Sequence, residues 1–421
     1  MYPSLRGLRG RSSDDVTGER LRWWRPIVTR NVVFLGLTSL LTDISSEMVT
    51  SVVPLFLTFQ LGFSRAQLGL FNGAFQGLAA FTALAGAAVA DRHQRHKEVA
   101  AAGYGISAAT RIGLTAARNA WVPATALLYA DRAAKGIRTA PRDALISLSA
   151  VPGHVGEAFG VHRGLDTAGA LAGPLVAFAI LTAAPGAYGS IFSASFWIAL
   201  VGVAIVVLFV ENRPVVDALV SRRVVSIRTG FTLLRESGFR RLVIAGTALS
   251  AATIADALVY LTFQQRSGMT TRFFPLLFVG TAVGYLALAV PLGRLADRVS
   301  PTKVFLGGQA LLVVVDLALM KSSPGPVSLV VMLGALGIYY AATDGVLATI
   351  ASSILPPEAR ASGLAFLGAV MAVAAFVASA AFGFAWQWWG PATAVSVFLA
   401  AIVAALAFAV ALLKPLLPGR S

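Results

Sequence analysis

The stretch from Tyr129 to Pro174 places several charged side chains within apolar helical sequence. Four of them recur at i, i+4, i+7 and i+11 and share one helix face, unless Pro141 ends the helix early: Asp131, Lys135, Arg138 and Arg142. In a bilayer, a charge that faces lipid costs several kcal/mol, so these faces must point into the protein or into a water-filled cavity. Such faces are suited to ion pairing, proton transfer or binding of a charged solute.

A pair of carboxylates in the first apolar segment is suited to carrying a proton. Asp43 and Glu47 lie one helical turn apart. Because two carboxylates repel each other at low dielectric, at least one is expected to be protonated unless a cation is close. Arg132 is the expected cation, since a guanidinium stays charged and can clamp a carboxylate. We predict that Asp43 or Glu47 alternates between pairing with Arg132 and holding a proton; the alternative is a permanent ion pair that joins two helices.

Other polar side chains within the apolar segments are candidates for contact with a solute. There are seven of them: Asn72, Gln76, Lys135, Asp256, Tyr260, Tyr340 and Asp344. Amides at such positions also serve as hydrogen-bond partners between helices, which is the alternative role. Asp256 and Asp344 are the stronger candidates, because an unpaired carboxylate within the membrane is costly.

Charged residues near the ends of segments are candidates for a gate. They are Asp91, Arg92, Arg138, Arg142, Asp143, Arg163, Asp166, Asp297 and Arg298. Those between 138 and 166 are expected to meet where the fourth and fifth segments join, and salt bridges there would break on opening. Those in the two loops near 91 and 297 would cap helices and pair across the halves, holding an outward-open state. Residues that face lipid headgroups are the alternative, which fits Arg142 well.

The composition is typical of a membrane protein. Hydrophobic residues make up 57% of the chain and charged residues only 13%, whereas a soluble domain needs more polar surface. Cysteine is absent, which excludes disulfides and cysteine zinc sites. The net charge of +15 does not indicate nucleic-acid binding, because the basic residues fall in short segments between apolar runs.

Signatures of common enzymes are missing, since the sequence has no Walker loop, no GxSxG elbow and no HExxH motif. His93 and His96 lie in a basic loop, where a metal site is improbable. We therefore expect neither enzymatic activity nor a cofactor nor a bound metal.

Apolar runs of about 20 or more residues, the length that a bilayer core requires, recur in two sets of six. We place them near 31–59, 66–90, 99–118, 121–144, 158–183 and 190–210, and near 242–263, 273–296, 304–320, 327–354, 363–386 and 391–413. The predicted fold class is an all-α integral membrane protein with twelve transmembrane helices in two six-helix pseudo-repeats. The predicted domains are a basic tail at 1–30, bundles at 31–210 and 242–413, a linker at 211–241 and a tail at 414–421.

The linker has two interpretations. Five apolar residues are partly spaced for a helix that lies on a membrane surface: Val224, Val225, Ile227, Phe231 and Leu234. A plain connecting loop is the alternative.

Lysine and arginine predict the orientation, because cytoplasmic segments carry an excess of both. With the N-terminus inside, the inner segments hold 25 of the 34 basic residues and the outer segments hold 5. Both termini are therefore predicted to be cytoplasmic, in a cell membrane. The other four basic residues lie at membrane depth: Arg111, Arg132, Lys135 and Arg163.

Two short matches indicate an internal repeat. The sequence LTFQ occurs at 57–60 and again at 261–264, an offset of 204. The segment AAVADRHQRHK at 87–97 is echoed by GRLADRVSPTK at 293–303, an offset of 206. Parallel repeats of this kind occur in transporters, where the substrate site lies between the halves near the midplane.

The repeated loop resembles a signature of the major facilitator superfamily, G-x-L-a-D-r-x-G-r-k. The second copy has Ser300 and Pro301 in place of Gly-Arg, and the first copy departs further, with Ala87 and Gln94 where that family has glycines. The resemblance covers nearly the whole chain and implies the twelve-helix fold of that family.

Two helix signatures of the same family are also matched. Arg132 to Gly136 is similar to the fourth-helix R-x-x-x-G motif, whose arginine that family associates with proton coupling. The spacing of Gly160, Gly169, Gly173 and Pro174 resembles the fifth-helix signature of antiporters, although its closing glycine pair is replaced. The segments LTDISSEM, GIRTAPRDALI and HRGLDTAG resemble sequences of a bacterial and archaeal subgroup of that family, for which no substrate is settled. Close packing of helices is the alternative role for the glycines.

These features predict a secondary transporter that moves a small solute by alternating access, with export in exchange for protons as the preferred mode. An importer of a small, anionic metabolite is the first alternative, and a non-transporting scaffold or sensor is the second. The expected partners are a small solute, protons and the lipid bilayer, with no nucleic acid, and the chain is expected to be monomeric.

Overall fold

The computed structural model describes residues 28–93, 95–151, 153–212, 227–321, 324–357 and 359–416, without the side chains of residues 80, 84, 87, 88, 91–93, 227, 228 and 416. Most of the predicted N-terminal tail and of the linker therefore lies outside the described residues. Within the described residues the chain is helical and has no strands.

Twelve helices follow one another along the described chain. They are α1 (Arg30–Gln60), α2 (Arg65–His93), α3 (His96–Ala117), α4 (Trp121–Ser149), α5 (Val155–Ala183), α6 (Tyr188–Phe209), α7 (Ser237–Ser267), α8 (Thr271–Arg298), α9 (Pro301–Met320), α10 (Pro326–Ile354), α11 (360–389) and α12 (391–413). Gly390, with a φ of 81°, and Pro391 separate α11 from α12, which otherwise form one continuous stretch. A short helix at Ile227–Leu233 precedes α7.

Eight helical stretches of the described chain are long and apolar enough to cross a membrane, and the last of these contains both α11 and α12. The predicted fold class, an all-α membrane protein of two six-helix repeats, is confirmed. Helix α4 has a similar length but is not among the eight, because charged side chains recur along it from Asp131 onward.

The first helix of each half is interrupted at an equivalent place. In α1 the regular helix stops at Thr50 and resumes at Val53, and in α7 it stops at Ala251 and resumes at Asp256. The interval between the two restarts, 203 residues, is close to the offset of the LTFQ repeat. The sequence repeat is therefore also a repeat of backbone geometry.

The two halves contact each other at one end of the bundle. We call the end at which α1 begins and α12 ends the terminal end, and the opposite one the distal end. Hydrogen bonds and ring contacts join the halves near the distal end. Ala66 N–H donates to Gln387 Oε1 (3.1 Å), Asn72 Nδ2 donates to Ser379 Oγ (3.2 Å), Ser379 Oγ donates to the carbonyl oxygen of Gly69 (2.9 Å), and the ring of Phe178 stacks on that of Phe273 (5.7 Å).

Toward the terminal end the halves diverge. Within the described part of the chain, all hydrogen bonds between the halves lie in the distal half of the bundle. On α5, a Cβ added at Gly160 or Gly164 would meet no atom within 4 Å. The halves therefore enclose a crevice that widens toward the terminal end.

Helix α4 continues through Pro141. From the sequence alone, this proline could also have ended the helix. Proline removes one backbone hydrogen bond and leaves the carbonyl of Ile137 without its usual partner. In a membrane protein, close packing by neighbouring helices offsets this cost. Gly86 of α2 packs directly on Ile137, where a larger residue would not fit. Arg142 consequently stays on the same helix as Asp131 and Lys135.

The short helix Ile227–Leu233 contains two of the five residues predicted to form a membrane-surface helix. Phe231 is 63% exposed, and its ring also contacts that of Phe366 of α11 at 5.0 Å. Val224 and Val225 lie outside the described residues. Membrane contact by this helix stays a prediction.

The glycine spacing of α5 brings this helix against the backbone of α1. A Cβ at Gly173 would lie 2.6 Å from the carbonyl oxygen of Ile44, and one at Gly169 would overlap the carbonyl of Leu40. Gly160 has no such neighbour. The signature thus contains both packing glycines and a glycine that packing does not require.

We predict that Gly173→Ala lowers the free energy of unfolding by about 1–3 kcal/mol, because the backbone of α1 must move to accept the methyl group. Gly160→Ala, on the same helix, is the matched control and should be neutral or stabilising by up to about 1 kcal/mol. Thermal unfolding of both variants in detergent measures the difference. Equal unfolding temperatures for the two variants would contradict the packing role of Gly173.

Candidate functional site

A lysine on α4 lies between the two predicted proton carriers of α1. Lys135 Nζ donates to Glu47 Oε1 at 3.0 Å and lies 3.9 Å from Asp43 Oδ1. The ammonium is partly exposed to the crevice, whereas Asp43 is only 7% exposed. One cation therefore attracts both carboxylates and offsets the repulsion between them.

Arg132 was the predicted partner of these carboxylates, and in this structure it is not. Its Nη2 donates to Gln76 Oε1 of α2 at 3.0 Å, and its guanidinium lies 4.1 Å from the ring centre of Phe75. Within the described part of the chain it forms no ion pair, although the charge of Glu47 still acts on it. Lys135, one turn further along the same side of α4, contacts both carboxylates directly.

A buried ion pair joins α3 to α4. Arg111 Nη2 lies 2.8 Å from Asp131 Oδ1, and the two side chains are 1% and 6% exposed. Ser107 Oγ donates to the same carboxylate oxygen at 2.6 Å. Arg111 also reaches α1, where Nη2 lies 3.4 Å from Ser46 Oγ. Because a buried charge without a partner is costly, removing either side chain would destabilise the protein by leaving the other charge unpaired in the core.

Arg138 links this pair to the carboxylates of α1. Its Nη1 donates to Ser107 Oγ at 2.9 Å, its Nη2 lies 3.8 Å from Asp43 Oδ1, and its guanidinium lies over the ring of Tyr104. It was predicted to belong to the gate, but it is buried at the centre of the charged network. Its position on the Lys135 face explains this, because these residues lie one turn apart.

A second charged cluster lies nearer the terminal end, where α4 and α5 meet α1. Arg142 lies 3.0 Å from Asp143 and 3.5 Å from Asp166, and Arg163 lies 3.7 Å from Asp166. Ser39 Oγ accepts from Arg142 Nη1 at 3.2 Å and donates to Asp166 Oδ1 at 2.9 Å. The predicted gate residues between 142 and 166 are thus brought together, and Arg142 faces the protein instead of headgroups.

The two clusters meet at a pair of carboxyl groups. The side chains of Asp43 and Asp166 lie next to each other. Two carboxyl groups can share a hydrogen bond only if one of them carries a proton. This contact is therefore a place where the protein can hold or release a proton.

The carboxylates of the second half have tyrosines as partners. Tyr340 OH donates to Asp256 Oδ2 at 2.6 Å, and Tyr285 OH donates to Asp344 Oδ2 at 3.2 Å. Asp344 ends the first part of α10, where Gly345 adopts a φ of 77° and breaks the helix. Within the described residues neither carboxylate forms an ion pair.

These groups surround a cavity of about 240 Å³ that faces the crevice. Its wall is formed by Asp256, Tyr260, Phe278, Thr281, Ala282, Tyr285, Tyr340 and Asp344. The structure thus brings together all four predicted solute-contact residues of the second half. Tyr260 is buried and donates to Thr281 Oγ1 at 2.7 Å, so its hydroxyl is already engaged.

The predicted contact residues of α2 lie across the crevice from this cavity. Asn72, Gln76 and Asp256 line a small cavity of about 60 Å³, together with Phe75 and Phe278. Asn72 is buried and joins the halves through Ser379, which is the interhelical role that the sequence left open. Gln76 is exposed and carries the bond to Arg132.

The two matched loops were predicted to pair across the halves, and only the second has described side chains at its Asp-Arg pair. Asp297 and Arg298 are exposed, and within the described part of the chain neither forms an ion pair. The side chains of Asp91 and Arg92 lie outside the described residues. No group of three or more His, Cys, Asp or Glu side chains in the described chain is arranged to hold a metal ion.

The sequence analysis gave no role to Arg111, Ser107 or Tyr285. Arg111 had a visible signal, since it is a charge within an apolar segment. Ser107 and Tyr285 had none, because serine and tyrosine are ordinary residues in membrane helices and their partners lie on other helices.

Comparison with known proteins finds one family whose sequence profile matches most of the chain. The Major Facilitator Superfamily profile matches residues 35–277 and 245–421. An uncharacterized MFS-type transporter of Methanocaldococcus jannaschii is 26% identical over 366 residues, covering 86% of this chain and 89% of that protein. An uncharacterized protein of Mycobacterium tuberculosis is 32% identical over 179 residues, covering 42% of this chain and 43% of that protein.

Solved structures share the fold at low identity. A point mutant of the nucleoside transporter NupG superposes with a TM-score of 0.78 at 15% identity, covering 90% of this chain and 99% of that chain. A POT family transporter in complex with 5-aminolevulinic acid gives a TM-score of 0.75 at 14% identity, covering 91% and 96%.

We predict that Asp131→Asn destabilises the protein by about 3–5 kcal/mol, because it leaves the Arg111 guanidinium buried without its counter-charge. The double variant Arg111→Gln/Asp131→Asn should recover part of this loss. Thermal unfolding in detergent checks both, with Glu157→Gln of the exposed His154–Glu157 pair as control. A double variant no more stable than Asp131→Asn alone would show that the two charges do not compensate each other.

Proposed function

The chain belongs to the major facilitator superfamily of membrane transporters, and we propose that it exports a small solute across the cell membrane in exchange for protons. The observation that carries this proposal is the cation shared between Asp43 and Glu47 within a transmembrane helix. The proposal includes transport by a single copy of the chain, without enzymatic chemistry. The predicted boundaries, bundles at 31–210 and 242–413 joined by a linker, are part of it.

The orientation follows from the distribution of basic residues. The terminal end has most of the lysines and arginines, so we assign it to the cytoplasm. In this orientation the crevice of the present structure opens to the cytoplasm, and the contacts at the distal end close it toward the outside. A transporter must also adopt the opposite arrangement, in which the distal contacts break and the terminal end closes.

Proton coupling would operate through the ion pairs of α1 and α4. When Asp43 and Glu47 are ionised, Lys135 holds them, and α1 and α4 stay together. Protonation removes the attraction and frees the ammonium toward the crevice. Each protonation state then favours a different arrangement of the helices, which is the differential interaction that coupling requires.

The terminal cluster is suited to the role of the inner gate. Arg142 contacts Asp166 of α5, and Asp166 contacts Asp43. A proton that arrives at this carboxyl pair therefore changes the charge next to the residues that join α4 to α5. We assign Asp91, Arg92, Asp297 and Arg298 to contacts that form across the halves only when the terminal end closes.

The solute would occupy the crevice between Gln76 of the first half and the Asp256–Tyr340 pair of the second. These side chains line two neighbouring cavities that share Asp256 and Phe278 in their walls. Import of a metabolite uses the same geometry in the opposite direction, so the direction of proton flux relative to solute distinguishes import from export. A scaffold or sensor would show no solute-dependent proton flux.

We predict that Asp43→Asn and Glu47→Gln each abolish solute movement driven by a pH gradient, because an amide cannot take up the proton. Exchange of solute between the two sides should persist, since it needs no net proton transfer. The measurement uses the purified chain in liposomes, with an imposed pH gradient and a panel of labelled metabolites and drugs.

Glu98→Gln is the matched control, since Glu98 is exposed at the start of α3 in the same half. It should transport like the unmodified protein. Undiminished pH-driven transport by both Asp43→Asn and Glu47→Gln would show that these carboxylates do not carry the proton.

A further inference from the structure

We propose that the solute is a small zwitterion of the amino-acid type, with its anionic group at Arg132 and its ammonium group at Asp256 and Asp344. This inference rests on the proposed transport function and adds the chemical class of the solute. It comes from charges that the protein leaves uncompensated on the two sides of one crevice.

Arg132 is the uncompensated cation of the first half. The other buried or half-buried cations of α3 and α4 each have a carboxylate within reach: Arg111, Lys135, Arg138 and Arg142. In the described chain Arg132 forms no ion pair: its direct partners are the amide oxygen of Gln76 and the ring of Phe75, and its buried Nε has no hydrogen-bond partner. The carboxylates of Glu47 and Asp131 act on it only from a distance, and each is held by another cation. A guanidinium at membrane depth without a directly bound anion is costly, and it can bind a carboxylate with two parallel hydrogen bonds.

Asp256 and Asp344 are the uncompensated anions of the second half. Tyrosine hydroxyls donate to both, but no lysine or arginine lines their cavity. The wall also contains the aromatic side chains of Tyr260, Phe278, Tyr285 and Tyr340. Aromatic rings and carboxylates together form the surroundings in which proteins bind ammonium groups.

Asp256 and the hydrogen-bond partner of Arg132, Gln76, line neighbouring cavities. Asp256 and Phe278 line the cavity of about 240 Å³ and also the smaller cavity that contains Gln76 and Phe75. Gln76 Oε1 accepts the hydrogen bond of Arg132. The Gln76 side chain thus stands between the guanidinium and the cavity, and an anionic group that replaces it would bind Arg132 while the rest of the solute extends toward Asp256.

The cavity beside Asp256 and Asp344 favours a small solute. It has about 240 Å³ and is open toward the crevice, whereas pockets for drug-sized ligands usually have about 300–1,000 Å³. A cationic drug would leave Arg132 without an anion, and a simple anion would leave the two carboxylates without a cation. A zwitterion compensates both sides at once.

The test uses the twenty common amino acids as probes and compares each hit with the amine that lacks its carboxylate and the acid that lacks its amine. Binding is read from the rise in unfolding temperature of the purified chain in detergent and from counterflow in liposomes. At least one zwitterion should bind, and its amine and acid should bind at least about tenfold more weakly.

Two charge variants show which group binds where. Arg132→Gln should weaken zwitterion binding at least about tenfold and bring it to the level of the amine, because the site for the carboxylate is lost. Asp256→Asn should bring zwitterion binding to the level of the acid. The matched controls are Arg118→Gln and Glu157→Gln, both at exposed positions, which should leave binding unchanged.

Three results would overturn the inference: no zwitterion of the panel binds, the amine or the acid binds as tightly as its zwitterion, or Arg132→Gln leaves zwitterion binding intact. The same experiments test the proposed function separately from the class of solute. Binding of a zwitterion without pH-driven transport would contradict proton coupling alone, whereas pH-driven transport of amines or acids only would contradict the zwitterion alone.

Discussion

The cost of placing a charge in an apolar membrane governs the arrangement of this protein. Removing one partner of a buried ion pair costs several kcal/mol, so the cations of α3 and α4 must be matched by carboxylates or reach water. The first half meets this demand with a chain of contacts from Arg111 through Asp131 and Arg138 to Asp43. Because the contacts are shared, a change of protonation at one carboxylate alters the balance for its neighbours.

The two halves repeat each other in backbone but not in chemistry. Both begin with an interrupted helix, at Thr50 in α1 and at Ala251 in α7. The first half carries an ionic network in its core, whereas the second presents carboxylates held by tyrosines toward the crevice. This division separates a candidate proton switch in the first half from a candidate binding surface in the second.

The sequence was sufficient to predict the fold, because twelve apolar runs and a repeated loop leave few alternatives. It also located most residues of the site, since a charge within an apolar segment is visible in a single sequence. Their partners could not be predicted. Whether Lys135 or Arg132 meets Glu47 depends on the rotation of α4 about its axis, and neighbouring helices set that rotation. Pro141 likewise stays within α4 because Gly86 of another helix packs against it.

The central claim is that protonation of Asp43 and Glu47 shifts the chain between two arrangements of its halves. The absence of native cysteine allows spin labels to be placed at Glu157→Cys and Val299→Cys, two exposed positions at the terminal end, one in each half. Pulsed electron spin resonance then gives their separation as a function of pH. The account predicts a separation that changes with pH, and no change once Asp43→Asn and Glu47→Gln are added. A separation that does not respond to pH, or one that still responds in this variant, would contradict it.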